Sequence, residues 1–444
     1  MTRATHSFPD SFLFGTATSG YQVEGQSTQA DFWRWEQQPG RIAEGHTSGA
    51  ACDWWAGGRW REDFDRAAND NHTAHRLSVE WSRIEPAPGR WDDDALAHYR
   101  EMVRGLRERG LTPLVTLHHF VNPHWVSERN AWESGEGVAL FSRYVEKVVS
   151  ALGEQVDFWA TINEPNIYMY FGWISGAFPP GKKDFWLAMR VAANLLRAHA
   201  AAYRVIHAAQ PHALVGLPVH FRPNLPANPN FAPDGWVARG QFELFSSLFT
   251  DAIQSGKLRQ LLRPSVSIPE ARGTHDYVGL NYYSTDVTRF DLTNPMELFG
   301  RRGFPPESET DGSGLYASYP PGLFASLKWA HRLKLPIYIT ENGIGGEEDS
   351  LRRRYLVSHL RQVWRAVNFN WDVRGYFHWS LLDNFEWERG WTHRFGLYAL
   401  DTATQTRTPR PSAHLYAEIC RTRSLSSDLV ERFAPELLDS LFPG

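Results

Sequence analysis

The sequence predicts an α/β fold of the (β/α)8 type, a TIM barrel with long loops between strand and helix, and two observations carry that reading. Eight short apolar runs alternate with helical patterns along the chain, which calls for parallel strands with helices packed over them. Two of these runs, far apart in sequence, stop abruptly at a glutamate followed by a turn-forming residue. They are Ile337-Tyr338-Ile339-Thr340-Glu341-Asn342-Gly343 and Phe158-Trp159-Ala160-Thr161-Ile162-Asn163-Glu164-Pro165. A β-branched and aromatic run with apolar character on both faces suits a strand buried on both sides. In a barrel of parallel strands, the loop after such a strand opens at the end where sites are built.

Taken in order, Phe12 to Gly25 begins as a strand and dissolves into small residues. The Trp-rich loop that follows (Trp33, Trp35, Trp54, Trp55) reads as loop packing. A charged helix over 62–70 leads to a strand over 75–79. The helix predicted over 92–109 has acidic residues in its first turn, Gly110 at its end, and a face of Leu96, Tyr99, Met102, Val103 and Leu106 at helical spacing. It feeds a strand over 114–117 that ends in His118-His119. Helix 138–152 precedes the Glu164 strand, and helix 185–209 precedes a strand over 215–219. That strand is the weakest of the eight, because Pro218 cannot donate to a ladder. Helices over 241–253, 322–333 and 351–367 precede strands over 277–283, the Glu341 run and 375–380. Pro/Asn/Gly-rich segments over 221–235 and 290–321 read as long loops near the site. No linker-like composition divides the chain, so residues 1–444 are expected to form a single domain. Gly15 to Gly20 does not match the phosphate-binding turn that a doubly wound fold would need.

Composition narrows the function classes. A net charge of −4 gives no basic footprint for nucleic acid or an anionic membrane. Nineteen Trp, sixteen Tyr and twenty-six Phe supply core, and also rings on which sugar C–H faces can stack. Cys52 and Cys420 could pair, but their number and spacing favour two free thiols. The polar N-terminus and the lack of any membrane-length apolar run give a cytoplasmic protein as the expectation. His118, His119 and His124 lack the thiolate or carboxylate partners that would complete a metal site, so neither metal nor cofactor is expected.

Two strand-end carboxylates that face each other across a barrel mouth are what cleavage of a glycosidic bond needs. One attacks or steers water, and the other protonates the leaving oxygen. Other strand ends carry groups able to hold a polyol: Gln22, Arg76, His119, Asn163, Tyr283 and Trp379. From about Phe8 to Glu418 the chain resembles the retaining β-glycosidases of glycoside hydrolase family one. The motifs are Thr161-Ile162-Asn163-Glu164-Pro165, Ile339-Thr340-Glu341-Asn342-Gly343, the Phe12–Gly25 signature, Leu117-His118-His119-Phe120, Gly279-Leu280-Asn281-Tyr282-Tyr283, and the segment from Trp379 to Trp387. His378-Trp379-Ser380 is similar to the archaeal and thermophilic branch.

The resemblance implies Glu164 as acid/base and Glu341 as nucleophile. It implies Gln22, His119, Asn163, Glu386 and Trp387 on the hydroxyls of the sugar, and Trp379 as its aromatic floor. Arg76, Asn281 and Tyr283 match residues around the nucleophile. Phe120-Val121 stands where the family commonly has Trp-Asp, and the loop from Gln26 is shorter than in many members. Both departures bear on the leaving group rather than on the reaction. The implied activity is hydrolysis, with retention, of terminal β-D-glucosides and also β-galactosides or fucosides. Transfer of the same sugar to an alcohol and a non-catalytic sugar-binding barrel are the alternatives. The expected partner is a small-molecule or oligosaccharide β-glycoside, with a homo-oligomer left open. Arg76 and the Tyr283 hydroxyl would keep Glu341 ionised, whereas Glu164 needs a raised pKa to begin protonated. A nucleophilic carboxylate implies a separation of roughly 5–5.5 Å between the pair.

Overall fold

A computed structural model describes residues 4–443. Eight parallel strands close into a barrel: β1 (Leu13–Ala17), β2 (Ala74–Ser78), β3 (Thr112–Thr116), β4 (Phe158–Ala160), β5 (Leu214–Phe221), β6 (Tyr277–Tyr282), β7 (Ile337–Asn342) and β8 (Val373–Trp379). Each pairs with the next in sequence, and β8 closes on β1 in the register Gly375↔Leu13 to Trp379↔Ala17. All eight predicted strands are therefore present.

Pro218 does lie inside a barrel strand, opposite Gly279 of β6. Its carbonyl accepts from the Glu164 N–H at 2.8 Å, on the side where β4 has already ended at Ala160. The N–H that proline lacks would face that same side, beyond the regular ladder, so little is forfeited.

Inside the barrel, small and large residues alternate to fill the lumen: Ala17, Ala74 and Ala160 with Phe158, Tyr277, Tyr338 and Phe377. The larger apolar layer lies between strands and helices, where Leu96, Tyr99, Met102, Val103 and Leu106 of the helix Asp93–Glu108 are all buried. Full burial of an aliphatic side chain of this kind contributes about 1.5–3 kcal/mol. That helix starts at Asp92, whose carboxylate accepts from the Ala95 N–H at 2.9 Å. Asp184 caps the helix Phe185–Ala209 through the N–H groups of Trp186 and Leu187.

Two regions differ from the sequence reading. The helix expected over 241–253 is two helices, Ala232–Phe245 and Leu248–Ser255, and the first occupies part of the segment read as loop. Gly235 and Gly240 weakened its pattern, and its apolar residues do not form one face. The segment 290–321 is not structureless either. Asn224–Pro226, Asp286–Phe290 and Gly300–Gly303 form a three-stranded sheet that holds it over the barrel mouth. Cys52 and Cys420 are both buried and free. Among the described residues, no helix is long and apolar enough to cross a membrane.

Candidate active site

The C-terminal ends of the strands open into a cavity of about 350 Å³. Glu164, Glu341, Glu386, His119, Tyr283, Trp379 and Trp387 all line it. Glu341 is the next-to-last residue of β7, where the ladder is irregular on both flanks: register shifts fall between Leu280 and Asn281 of β6 and between Ile339 and Asn342 of β7. Such bulges re-aim side chains beside sites. Two residues on, a Cβ at Gly343 would come within 1.9 Å of the Trp379 carbonyl oxygen, so this turn accepts only glycine. Three cavity residues take left-handed backbone without being glycine: Phe120 (φ 70°), Glu164 (φ 41°) and Trp387 (φ 48°). Conformations of that kind cost on the order of 1–3 kcal/mol and persist where the surroundings impose them.

Glu341 is 3 % exposed. Its Oε1 accepts from Arg76 Nη1 at 2.5 Å and its Oε2 from the Tyr283 hydroxyl at 2.6 Å. Arg76, on β2 and equally buried, also donates to Thr116 Oγ1 at 3.0 Å, the Thr340 carbonyl at 3.2 Å and Asn163 Oδ1 at 2.6 Å. The contacts are those expected from the sequence, and Arg76 and Tyr283 both favour the ionised form, but burial works against them. Burial pushes the Glu341 carboxyl up to about 7; the Arg76 charge opposes this, the Glu164 charge adds to it, and the Tyr283 hydrogen bond opposes it. Desolvation of a carboxylate sealed under a barrel mouth outweighs one guanidinium that is shared among four acceptors.

Glu164 caps the short helix Pro165–Tyr170, and its Oε1 meets Asn281 Nδ2 at 2.9 Å and His220 Nδ1 at 3.0 Å. Asn281 stands opposite Glu341 in the β6–β7 register, while its amide reaches Glu164. Glu386 is half-buried, lines the cavity, and takes a hydrogen bond from Trp379 Nε1 at 3.0 Å. The protein packed round it pushes its carboxyl up to about 8; the Trp379 bond opposes this, and the Glu341 and Glu388 charges add to it.

His119 stacks on both Trp379 and Trp387, with ring centroids 6.0 and 5.9 Å apart. Burial holds it well below the usual imidazole range, so it is neutral and carries one hydrogen. Asn163 Nδ2 lies 3.1 Å from its Nε2, which makes Nε2 the acceptor and puts the hydrogen on Nδ1. That buried Nδ1 has no partner among the described residues, which leaves a donor on a residue of the cavity wall.

Gln22, Asn163, Arg76 and Asn281 are brought to the same centre, but behind the wall rather than in it. The Gln22 amide donates to Asn384 Oδ1 at 2.8 Å and to the Phe385 carbonyl at 2.9 Å, and its oxygen accepts from Ser19 at 2.7 Å. Sequence reasoning missed several lining residues. His220 is the clearest, a polar residue at the end of a buried strand and so open to the same rule that found the two glutamates. Tyr170, Arg222, Arg302 and Tyr316 also line the cavity. Tyr316 and Arg302 come from the inserted segment, where no local pattern marks them.

A cavity of this kind, with two buried carboxylates in unlike surroundings, aromatic walls and spare donors and acceptors, suits acid–base and nucleophilic chemistry on a polyhydroxylated substrate. The chain is similar in structure to a beta-glycosidase from Pyrococcus horikoshii, at 38 % identity and a TM-score of 0.90, covering 97 % of this chain and 98 % of that one. It is 31 % identical to Beta-glucosidase A of Thermotoga maritima over 94 % of this chain and 98 % of the relative. It is likewise 31 % identical to a beta-galactosidase of Saccharolobus solfataricus over 96 % of this chain and 97 % of the relative. The model of glycosyl hydrolase family 1 matches residues 4–425, and the chain belongs to that family.

Proposed function

We propose that the protein is a retaining β-glycosidase that removes terminal β-D-glucosyl units, and β-galactosyl or fucosyl units through the same contacts, with residues 1–444 acting as one domain. The observation that carries this reading is the pair Glu341 and Glu164 in one cavity, the first held by a cation and a phenol, the second by an amide and an imidazole. Glu341, ionised, attacks the anomeric carbon as the glycosidic C–O bond breaks and Glu164 gives its proton to the leaving oxygen. In the second step Glu164, now a carboxylate, takes a proton from water, and the water oxygen displaces Glu341 from the anomeric carbon.

The remaining groups fit the sugar. His119 Nδ1 offers a donor and Glu386 an acceptor for hydroxyls, with Trp379 beneath the ring. Gln22 orients the Asn384–Phe385 segment beside Glu386, and Asn163 orients His119 and Arg76. The names of the relatives, two glucosidases or glycosidases and one galactosidase, agree with acceptance of either sugar.

Proton NMR of a nitrophenyl β-glucoside digest tests the reading. The first glucose released is expected as the β anomer, before mutarotation. Initial release of the α anomer would overturn the two-step scheme.

A further inference from the structure

We propose that His220, at the end of β5, is a positioning residue for Glu164: with Asn281 it fixes Oε1 of that carboxyl as an acceptor and leaves the transferable proton on Oε2. The proposal rests on the glycosidase reading above, and it follows from which atoms can donate. Arg76 only donates, and its Nη2 stands 2.6 Å from Asn163 Oδ1, so that atom of Asn163 is the oxygen. Asn281 approaches the same oxygen at 3.1 Å, so the approaching atom is the amide nitrogen. Its other end agrees, since Asn281 Oδ1 accepts from the Thr340 hydroxyl at 2.6 Å. The Asn281 nitrogen also lies 2.9 Å from Glu164 Oε1, which makes Oε1 an acceptor. His220 Nδ1 stands 3.0 Å from that same Oε1, and against the ionised carboxylate, which only accepts, Nδ1 must carry the hydrogen. With two donors on Oε1, a proton on this carboxyl belongs on Oε2.

The imidazole is built into the wall. Asn166 brackets the His220 backbone, its Nδ2 donating to the His220 carbonyl at 2.9 Å and its Oδ1 accepting from the His220 N–H at 3.3 Å. The ring stacks on Tyr283 with centroids 5.6 Å and planes 13° apart. Tyr283 is the residue whose hydroxyl holds Glu341 Oε2, so one stack ties the placement of the acid to that of the attacking carboxylate.

In the first step the Oε2–H bond breaks, the proton goes to the glycosidic oxygen, and the new charge meets two donors already in place. In the second, Oε2 takes a proton back from water. His220 keeps its hydrogen throughout.

The test compares His220→Leu with His220→Asn, side chains of similar shape that differ in having a donor. Initial kcat/KM is read on an alkyl β-glucoside, whose leaving oxygen needs a proton, and on a dinitrophenyl β-glucoside, whose leaving group does not. H220L is expected to lose about 10–100-fold on the alkyl substrate, the worth of one hydrogen bond to a charged group, and to stay within about threefold on the dinitrophenyl one. H220N is expected to recover most of the loss. Equal losses on both substrates, no loss at all, or an H220N no better than H220L would overturn the proposal. Should H220L fail to fold by thermal melting, His220→Phe keeps the ring stack, removes the donor and is judged by the same two substrates. Wild-type turnover of the dinitrophenyl glucoside tests the underlying glycosidase reading separately.

Discussion

Asp383 and Glu386 stand three residues apart in the segment after β8, yet their carboxylates meet different surroundings. Asp383 is fully buried, and its oxygens are filled from all sides. Arg410 reaches both at 2.9 and 2.8 Å, and the backbone N–H groups of Gly396 and Leu400 add bonds at 3.0 and 3.3 Å. Asp63 is filled in the same way by Trp54, Arg66 and Arg407. At the barrel mouth, by contrast, Glu386 has the Trp379 indole at 3.0 Å, and Glu164 has donors on one oxygen. An ionised carboxylate can accept about four hydrogen bonds. The outer pair spends that capacity on the fold; the mouth leaves part of it for a substrate. Burial alone does not separate the two uses, whereas unfilled acceptor capacity does.

The contrast is broken most sharply by one substitution from each side. Glu341→Gly should abolish turnover because no glycosyl-enzyme forms, while formate filling the gap should restore part of it. Its melting temperature should fall as well, because Arg76 is left buried without its carboxylate. Asp383→Asn should cost about 3–5 kcal/mol of stability by leaving Arg410 buried against a neutral group, while the protein that stays folded keeps its turnover. Thermal melts and assays of the two variants side by side check this, and near wild-type turnover by E341G without added anion would remove the contrast.

A somewhat smaller effect is expected at Glu164. Glu164→Gln should lose about 10²–10⁴-fold in the first step on alkyl glucosides, and far less on dinitrophenyl glucosides. Equal losses on both would mean that another group is the acid.

Substrate charge sharpens the comparison next. The Glu341 and Glu388 charges already push the Glu386 carboxyl up, so a phosphate on the sugar would bring its charge against an acidic wall. Nitrophenyl β-glucoside should exceed its 6-phosphate by at least about 100-fold in kcat/KM, the scale of like charges brought together in a desolvated site. A preference for the phosphate would contradict this.

The smallest effect is on stability against pH. Burial raises Glu386 to about 8 and Glu341 to about 7, whereas an unfolded glutamate titrates near 4.3. Between those values the folded state binds more protons than the unfolded one. The contribution to stability is therefore full below about pH 4.3 and is lost as pH rises through about 7 to 8. Glu386→Gln removes its share of that loss. The variant should melt above the wild type at about pH 9, with the gain shrinking toward zero at about pH 4. A gain that is the same at both pH values would mean that Glu386 is not strained by its burial.

Much of this was legible in the sequence where a strand-end pattern carried it. Period and length located the eight strands, and the abrupt stops at Glu164 and Glu341 located two carboxylates of the cavity, the pair proposed to react. What stayed hidden depends on direction rather than on type. Gln22 and Asn163 are polar residues at strand ends like His119, but each turns behind the wall, because neighbours such as Asn384 and Arg76 claim their amides first. His220 was masked by Pro218 two residues before it, which made the whole strand look doubtful. Tyr316 and Arg302 reach the cavity through an inserted sheet whose pairing is long-range, and spacing along the chain carries no trace of it.

Trapping of the intermediate tests the central claim most directly. A 2-deoxy-2-fluoro β-glucoside with a good leaving group should add one fluoroglucosyl mass per chain, and peptide mapping should place it on Glu341. A label on any other residue, or turnover of this reagent with no labelled protein at any time, would contradict the account.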